Sequence, residues 1–208
     1  RDIQKQIKDS KAFYFPYVEE SKGVGDKLLF DLAKDAAVVI TDDYPTYFVP
    51  QMTAEAKGNI NTTYELVDSN GILPIRIAEK EYVRAHDFRR FMHKNIEDFL
   101  VEFPVENPLD YLNIKFDPKI LKSLTQKYKL EDFNEINIQK FLDNLSVDKS
   151  VEISEIVGGY DAAKSRLDYF TKKGFNDYAK RRSHPSEDAS SQLSPYFHFG
   201  HISTCLLY

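Results

Sequence analysis

The side chains best suited to chemistry lie late in the sequence. Within the polar run 183–194, Ser186, Ser190, Ser191 and Ser194 come just before Pro195, a favoured first residue of a helix. Hydroxyls and free backbone N–H groups at a helix N-terminus, where the dipole is positive, form a pocket for phosphate. The same Ser194 would also serve as a plain helix cap. Upstream, Lys172, Lys173, Lys180, Arg181 and Arg182 fall within eleven positions, interleaved with Phe175 and Tyr178. Such a patch can contact phosphates, and it can equally be a solvated helix face. Asp42 and Asp43 follow an apolar run that reads as a strand, and open α/β sheets bind ligands at the carboxyl ends of their strands.

His198-Phe199-Gly200-His201 is a fourth candidate. An HxGH sequence holds nucleotide phosphates in adenylyltransferases, and histidines at i, i+3 can share a metal. Both roles depend on setting: the adenylyltransferase motif follows the first strand of its sheet, whereas this one follows a serine-rich loop and a proline. His86, His93 and His184 are scattered and read as structural or exposed. No metal site is expected.

These residues must be positioned by a chain of 208 residues, 42% hydrophobic and 29% charged, which is long enough to bury a core and is neither disordered nor fibrous. With 28 basic and 33 acidic residues the net charge is -5, so any nucleic acid must be attracted by a local patch and not by a global field. The lone Cys205 permits no internal disulfide and no cysteine zinc cage, which fits a reducing compartment. No apolar run is long enough to cross a bilayer and no signal-peptide pattern opens the chain, so a soluble, cytoplasmic protein is expected.

The first third alternates strand and helix patterns. Ala12-Phe13-Tyr14-Phe15 reads as a buried strand, 27–34 as a helix with Leu28, Leu29, Leu32 and Ala33 on one stripe, and Ala37-Val38-Val39-Ile40 as a second strand covered on both faces. A helix over 46–57 and a strand over 63–67 follow, which makes an open, parallel α/β sheet with right-handed crossovers. The helix over 85–100 gathers Phe88, Phe91, Met92, Phe99 and Leu100 on one side. Pro104, Pro108 and Pro118 mark a linker. Beyond it the pattern is helical over 120–128, 138–145 and 159–173, the last closed by Gly174 after two lysines.

Taken together, Gly158-Gly159-Tyr160-Asp161-Ala162-Ala163, Arg166-Leu167, Tyr178, Arg182, Pro185 and the run from Ser190-Ser191-Gln192-Leu193-Ser194-Pro195-Tyr196 to His201-Ile202-Ser203 resemble the opening of the flavin-binding domain of DNA photolyases and cryptochromes. Tyr178 and Ser190 have the family's twelve-position separation. Val39 to Pro45 and Arg84 to Arg90 resemble the α/β domain of its class II-like or related bacterial branch. The resemblance implies a partial doubly wound, Rossmann-like parallel sheet over 1–103, a helical linker over 104–157, and over 158–208 the start of an all-α FAD-binding domain.

It further implies FAD, with Tyr178, Ser190, Ser191, Gln192, Leu193 and Ser194 around its phosphates and ribityl chain, and damaged DNA as partner, with Arg182 at a DNA-contacting position. Gln192 stands where many members have arginine, and Ser183-His184 replaces a frequent Asn-Asp. Only three of about five expected strands are found, most flavin-enclosing helices are absent, and the chain has no tryptophan to relay electrons. A fragment is therefore expected, with exposed apolar faces that favour self-association. The implied function is light-dependent repair of pyrimidine dimers by an electron from reduced FAD. The alternatives are a cryptochrome-like photoreceptor, an HxGH nucleotidyltransferase and a remnant that binds no cofactor. Lesion type, antenna chromophore and oligomeric state stay open.

Overall fold

The computed structural model describes residues 1–101, 104–113, 116–187 and 189–204. Cys205 and part of the proline-containing linker lie outside them. In chain order the elements are α1 (Asp2–Ile7), α2 (Leu28–Ala33), β1 (Val38–Asp42), α3 (Val49–Asn59), β2 (Thr63–Val67), α4 (Ala85–Asn95), α5 (Lys122–Lys127), α6 (Ile138–Asn144), α7 (Tyr160–Tyr169), α8 (Phe175–Arg181) and α9 (Ser194–His198). The chain divides into two compact units: Ile7–Lys149, and Arg1–Gln6 together with Ser150–Tyr208.

In the Ile7–Lys149 unit, β1 and β2 pair in parallel, in register from Val38 with Thr63 to Asp42 with Val67. Parallel neighbours need a crossover, and α3 supplies it. Its start at Val49, three residues later than the pattern suggests, follows from Tyr47 at φ 59° and from Pro50 in the first turn. Ala33 of α2, Ala56 of α3 and Ile60 form a buried cluster with Phe30, Val39 and Tyr64. The Thr62 hydroxyl donates to the Ala33 carbonyl at 3.0 Å, which fixes the end of α2 to the entry of β2.

Two expectations are corrected here. Ala37 to Ile40 is not covered on both faces: Val39 packs inward while Val38 and Ile40 are 39% and 59% exposed. The apolar run is continuous, but successive side chains of a strand point to opposite sides, and among the described residues only the Val39 side is packed. Ala12 to Phe15 is not a strand, so the sheet has two strands among the described residues where three were expected. That segment has no regular secondary structure; Phe13 is stacked on Phe116 at 5.0 Å, and its neighbours Lys11 and Pro16 accept from the backbone N–H groups of Phe116 and Glu131. Two such isolated bonds do not make a ladder.

Of the predicted linker, residues 104–149 belong to the same unit as the sheet. Tyr128, at the end of α5, is buried and donates to Asp31 of α2 at 2.8 Å.

In the other unit, α7 runs through a π-helical turn, Phe170–Gly174, into α8. Gly174 therefore does not end the helix as expected. Its backbone is helical (φ -104°, ψ -23°), and a Cβ there would lie 3.0 Å from the Phe170 ring. Glycine here gives room to a buried phenylalanine, which meets Phe175 and Tyr178 edge-on. The unit's core is Ala163, Leu193, Tyr196 and Ile202, with Ala162, Leu167 and Phe197 against it.

Candidate functional site

The serine turn is held in place by α7. Gly159 opens that helix with φ 103°, a value that favours glycine, and its N–H donates to Nδ1 of His201 at 3.1 Å. Two turns further on, Arg166 reaches across to the serine turn. Its Nε donates to the Ser191 carbonyl at 2.8 Å and its Nη2 to the Ser190 carbonyl at 3.3 Å, while the guanidinium lies over the Tyr169 ring. Leu193, fully buried against Ala163, anchors the other end of the turn. Between them Gln192 has φ 55°. A non-glycine residue in the left-handed region persists only where its surroundings over-determine it, and such residues cluster at functional sites.

This arrangement fixes the turn through its backbone and its one apolar side chain. Two of the three hydroxyls are left out of the scaffold: Ser190 and Ser194 are exposed, whereas Ser191 is half-buried and its oxygen accepts from the Leu193 N–H at 3.4 Å. Ser194 is not the helix cap. It is the first residue of α9, Leu193 holds the cap position, and no side chain caps the helix. The capping account of Ser194 is thus set aside, and the residue is exposed.

Tyr178 and Arg182 form a second group. Tyr178 is half-buried, packed edge-on against Phe170 at 5.2 Å. Arg182 lies over its ring at 5.5 Å and donates from Nη1 to its hydroxyl at 3.4 Å. The basic patch is less uniform than its sequence. Arg181 is paired with Glu187 at 2.5 Å and lies 3.9 Å from Asp177, and the Glu187 hydrogen bond raises its pKa further. Lys172, Lys173 and Lys180 have no ion pair among the described residues, so the free charge sits on them and on Arg182.

The other sequence candidates are occupied within the fold. Asp42 accepts from Ser69 at 2.5 Å, Asp43 pairs with Arg76, and Asn70 donates to the Asp43 carbonyl at 2.7 Å. The carboxyl end of β1 is thus covered by the segment that follows β2. His198 stands at the end of α9 and His201 accepts from Gly159, so the HxGH pair lacks the strand-end setting that nucleotidyl transfer requires. Among the described residues no cluster of His, Cys, Asp or Glu could hold a metal, and no helix is long and apolar enough to cross a membrane. A hollow of about 320 Å³ beside α9 is lined by Ser154, Ile156, Gly158, Pro195, Tyr196, Phe199 and His201, and by none of the predicted flavin-contacting residues. The anchoring role of Arg166 was missed from sequence, because a contact over 25 positions leaves no periodic signal.

No protein-family model matches the chain. It is 26% identical over 182 residues to a deoxyribodipyrimidine photo-lyase of Methanothermobacter thermautotrophicus, covering 86% of this chain and 37% of that protein. It is 28% identical over 171 residues to a deoxyribodipyrimidine photo-lyase of Potorous tridactylus, covering 79% of this chain and 29% of that protein. The chain thus spans well under half the length of either relative. Both alignments run over most of this chain, which is thus similar to deoxyribodipyrimidine photo-lyases.

Proposed function

We propose that the chain is part of a light-dependent DNA repair lyase that splits pyrimidine dimers with an electron from reduced FAD. In this reading β1 and β2 belong to a doubly wound sheet, and α7 to α9 begin a helical flavin-binding domain. What supports it is the pinned serine turn, with backbone fixed by Arg166 and Leu193 and with Ser190 and Ser194 exposed.

The donor set fits a diphosphate. Ser190 and Ser194 offer exposed hydroxyls, and the first turn of any helix leaves N–H groups without intrahelical acceptors. The cation absent at Gln192 has a counterpart in Arg166, whose charge lies against the turn from behind. Ser190, Ser191 and Ser194 would hold the phosphates, Gln192 and Leu193 would shape the turn, and Tyr178 would border the cofactor. Bound and reduced, FAD would supply the excited electron, and the protein supplies orientation.

Arg182, with Lys172, Lys173 and Lys180 unpaired near it in sequence, suits the phosphates of damaged DNA. The lesion would be flipped from the stack, at a cost that damage has already lowered. No side chain in this chain is required as acid, base or nucleophile.

The test is expression of the complete reading frame, followed by an absorption spectrum and a dimer-splitting assay under light. A flavin spectrum with splitting is expected, and a Ser190→Ala, Ser191→Ala, Ser194→Ala triple variant loses the flavin. Colour without splitting assigns the protein to the photoreceptors. Full retention of flavin by the folded triple variant overturns the assignment of the turn.

A further inference from the structure

The strongest concentration of unpaired positive charge outside the site described is α4 and its approach. From 80 to 94 the chain carries Lys80, Arg84, Arg89, Arg90 and Lys94 against Glu81 and Asp87, in a protein whose net charge is -5. None of the five cations has an ion pair among the described residues, whereas Asp87 has His86 at 3.6 Å. Arg84, Arg89, Arg90, His93 and Lys94 are all exposed.

The cations are gathered in space. On a helix, residues four apart are neighbours, which places Arg89 beside His93, and Arg90 beside both His86 and Lys94. These residues share one arc of α4, opposite the half-buried Phe91, Met92 and Asn95. Lys80 sits off this arc, near the N-terminal end of the helix, over the Tyr82 ring at 5.5 Å and beside an open trough of about 570 Å³ that Ala85 and Phe88 also line.

From this face we infer that α4 is a second nucleic-acid contact, one that binds the phosphodiester backbone without reading sequence. Charge complementarity selects the partner. Guanidinium forks match phosphate oxygens, and a row of cations along one face suits a regular row of anions. A membrane surface fits less well. A helix that lies on lipid must bury an apolar face there, and most of the apolar residues of α4 are already engaged: Phe91 and Met92 are half-buried, and Phe88, 36% exposed, packs with Phe91 at 6.1 Å and with Tyr82 at 5.5 Å. The inference adds a contact surface to the proposed function and rests on that reading only in expecting DNA to be the polyanion at hand.

The test measures binding of the whole 208-residue chain to an undamaged duplex oligonucleotide across a salt series. The Arg89→Gln, Arg90→Gln, Lys94→Gln variant is compared with a Lys8→Gln, Lys22→Gln, Lys57→Gln variant of equal net charge, also changed at exposed positions. Each lost phosphate contact lowers the slope of log K against log salt by about 0.9. The α4 variant is expected to lose between about 2 and 3 from that slope, and the control to lose less than about 1. Circular dichroism checks that both remain folded. Equal slopes for the two variants overturn the inference, as does binding of anionic vesicles in preference to DNA. If only Arg182→Ala weakens DNA binding, the α4 contact is overturned while the repair reading stands. If the α4 variant loses slope and the complete protein shows no flavin, the contact stands and the repair reading falls.

Discussion

The carboxylates around the sheet and the hydroxyls of the serine turn are both polar groups at the ends of secondary-structure elements, and the fold uses them in opposite ways. Asp42, Asp43 and Asp68 accept from Ser69, from Arg76 and from backbone N–H groups of the following loop, so their side chains hold that loop shut. The turn at 190–194 is held by its carbonyls, by Leu193 and by the Ser191 oxygen on the Leu193 N–H, and the Ser190 and Ser194 oxygens take no part in that. A ligand site needs groups that are fixed in place yet unused. By that measure the serine turn qualifies and the strand end does not, although the strand end is where an open α/β sheet is expected to bind.

The comparison is broken most directly at Leu193, which is fully buried. Leu193→Ala removes the apolar anchor and leaves a cavity, with an expected loss of about 2 to 5 kcal/mol in urea unfolding of the unit that contains it. Hydrogen exchange should rise across α7 and α9 and stay unchanged in β1 and β2. Equal loosening of both units would show that the turn is not anchored locally. Arg166→Met is the sharper probe and has the next largest effect. It withdraws two charge-assisted hydrogen bonds from the Ser190 and Ser191 carbonyls at a half-buried site, for an expected loss of about 1 to 2 kcal/mol. On the proposed function, the complete protein should release flavin far more readily than this loss of stability alone explains. Unchanged flavin retention with the same loss of stability would make Arg166 a structural residue only.

What could be read from sequence divides along the same physical line. Helical and parallel-strand periodicities gave α2, β1, β2, α4 and α6 within a few residues, because local patterning determines such elements. The serines before Pro195 were visible by type and spacing. The features that failed depend on side-chain packing that periodicity does not show. The rings at 13–15 look like a strand until Phe116 is seen to take Phe13. Gly174 looks like a terminator until Phe170 is seen beneath it.

The smallest effect comes from the carboxylate side of the comparison, where it carries a pH signature. Asp31 of α2 accepts from Lys127 at 2.6 Å, Lys34 at 2.6 Å and Tyr128 at 2.8 Å. These hydrogen bonds, that of Lys127 foremost, hold its carboxyl well below the usual range near 4. A depressed carboxyl stabilises the folded chain in full above its unfolded value and loses that contribution as pH falls through the folded one. The stability difference between the parent chain and Asp31→Asn should therefore be constant from neutrality to about pH 5 and shrink steadily below about pH 4. On the alkaline side the hydrogen bond to Asp31 raises the Lys127 ammonium above its ordinary value, so the same difference should persist until about pH 10 and decline beyond it. Thermal midpoints of the two proteins in matched buffers measure both limbs. A difference that stays flat from pH 5 down to pH 2 would mean that Asp31 is not engaged by these partners, and the contrast between occupied carboxylates and available hydroxyls would lose its best-defined member.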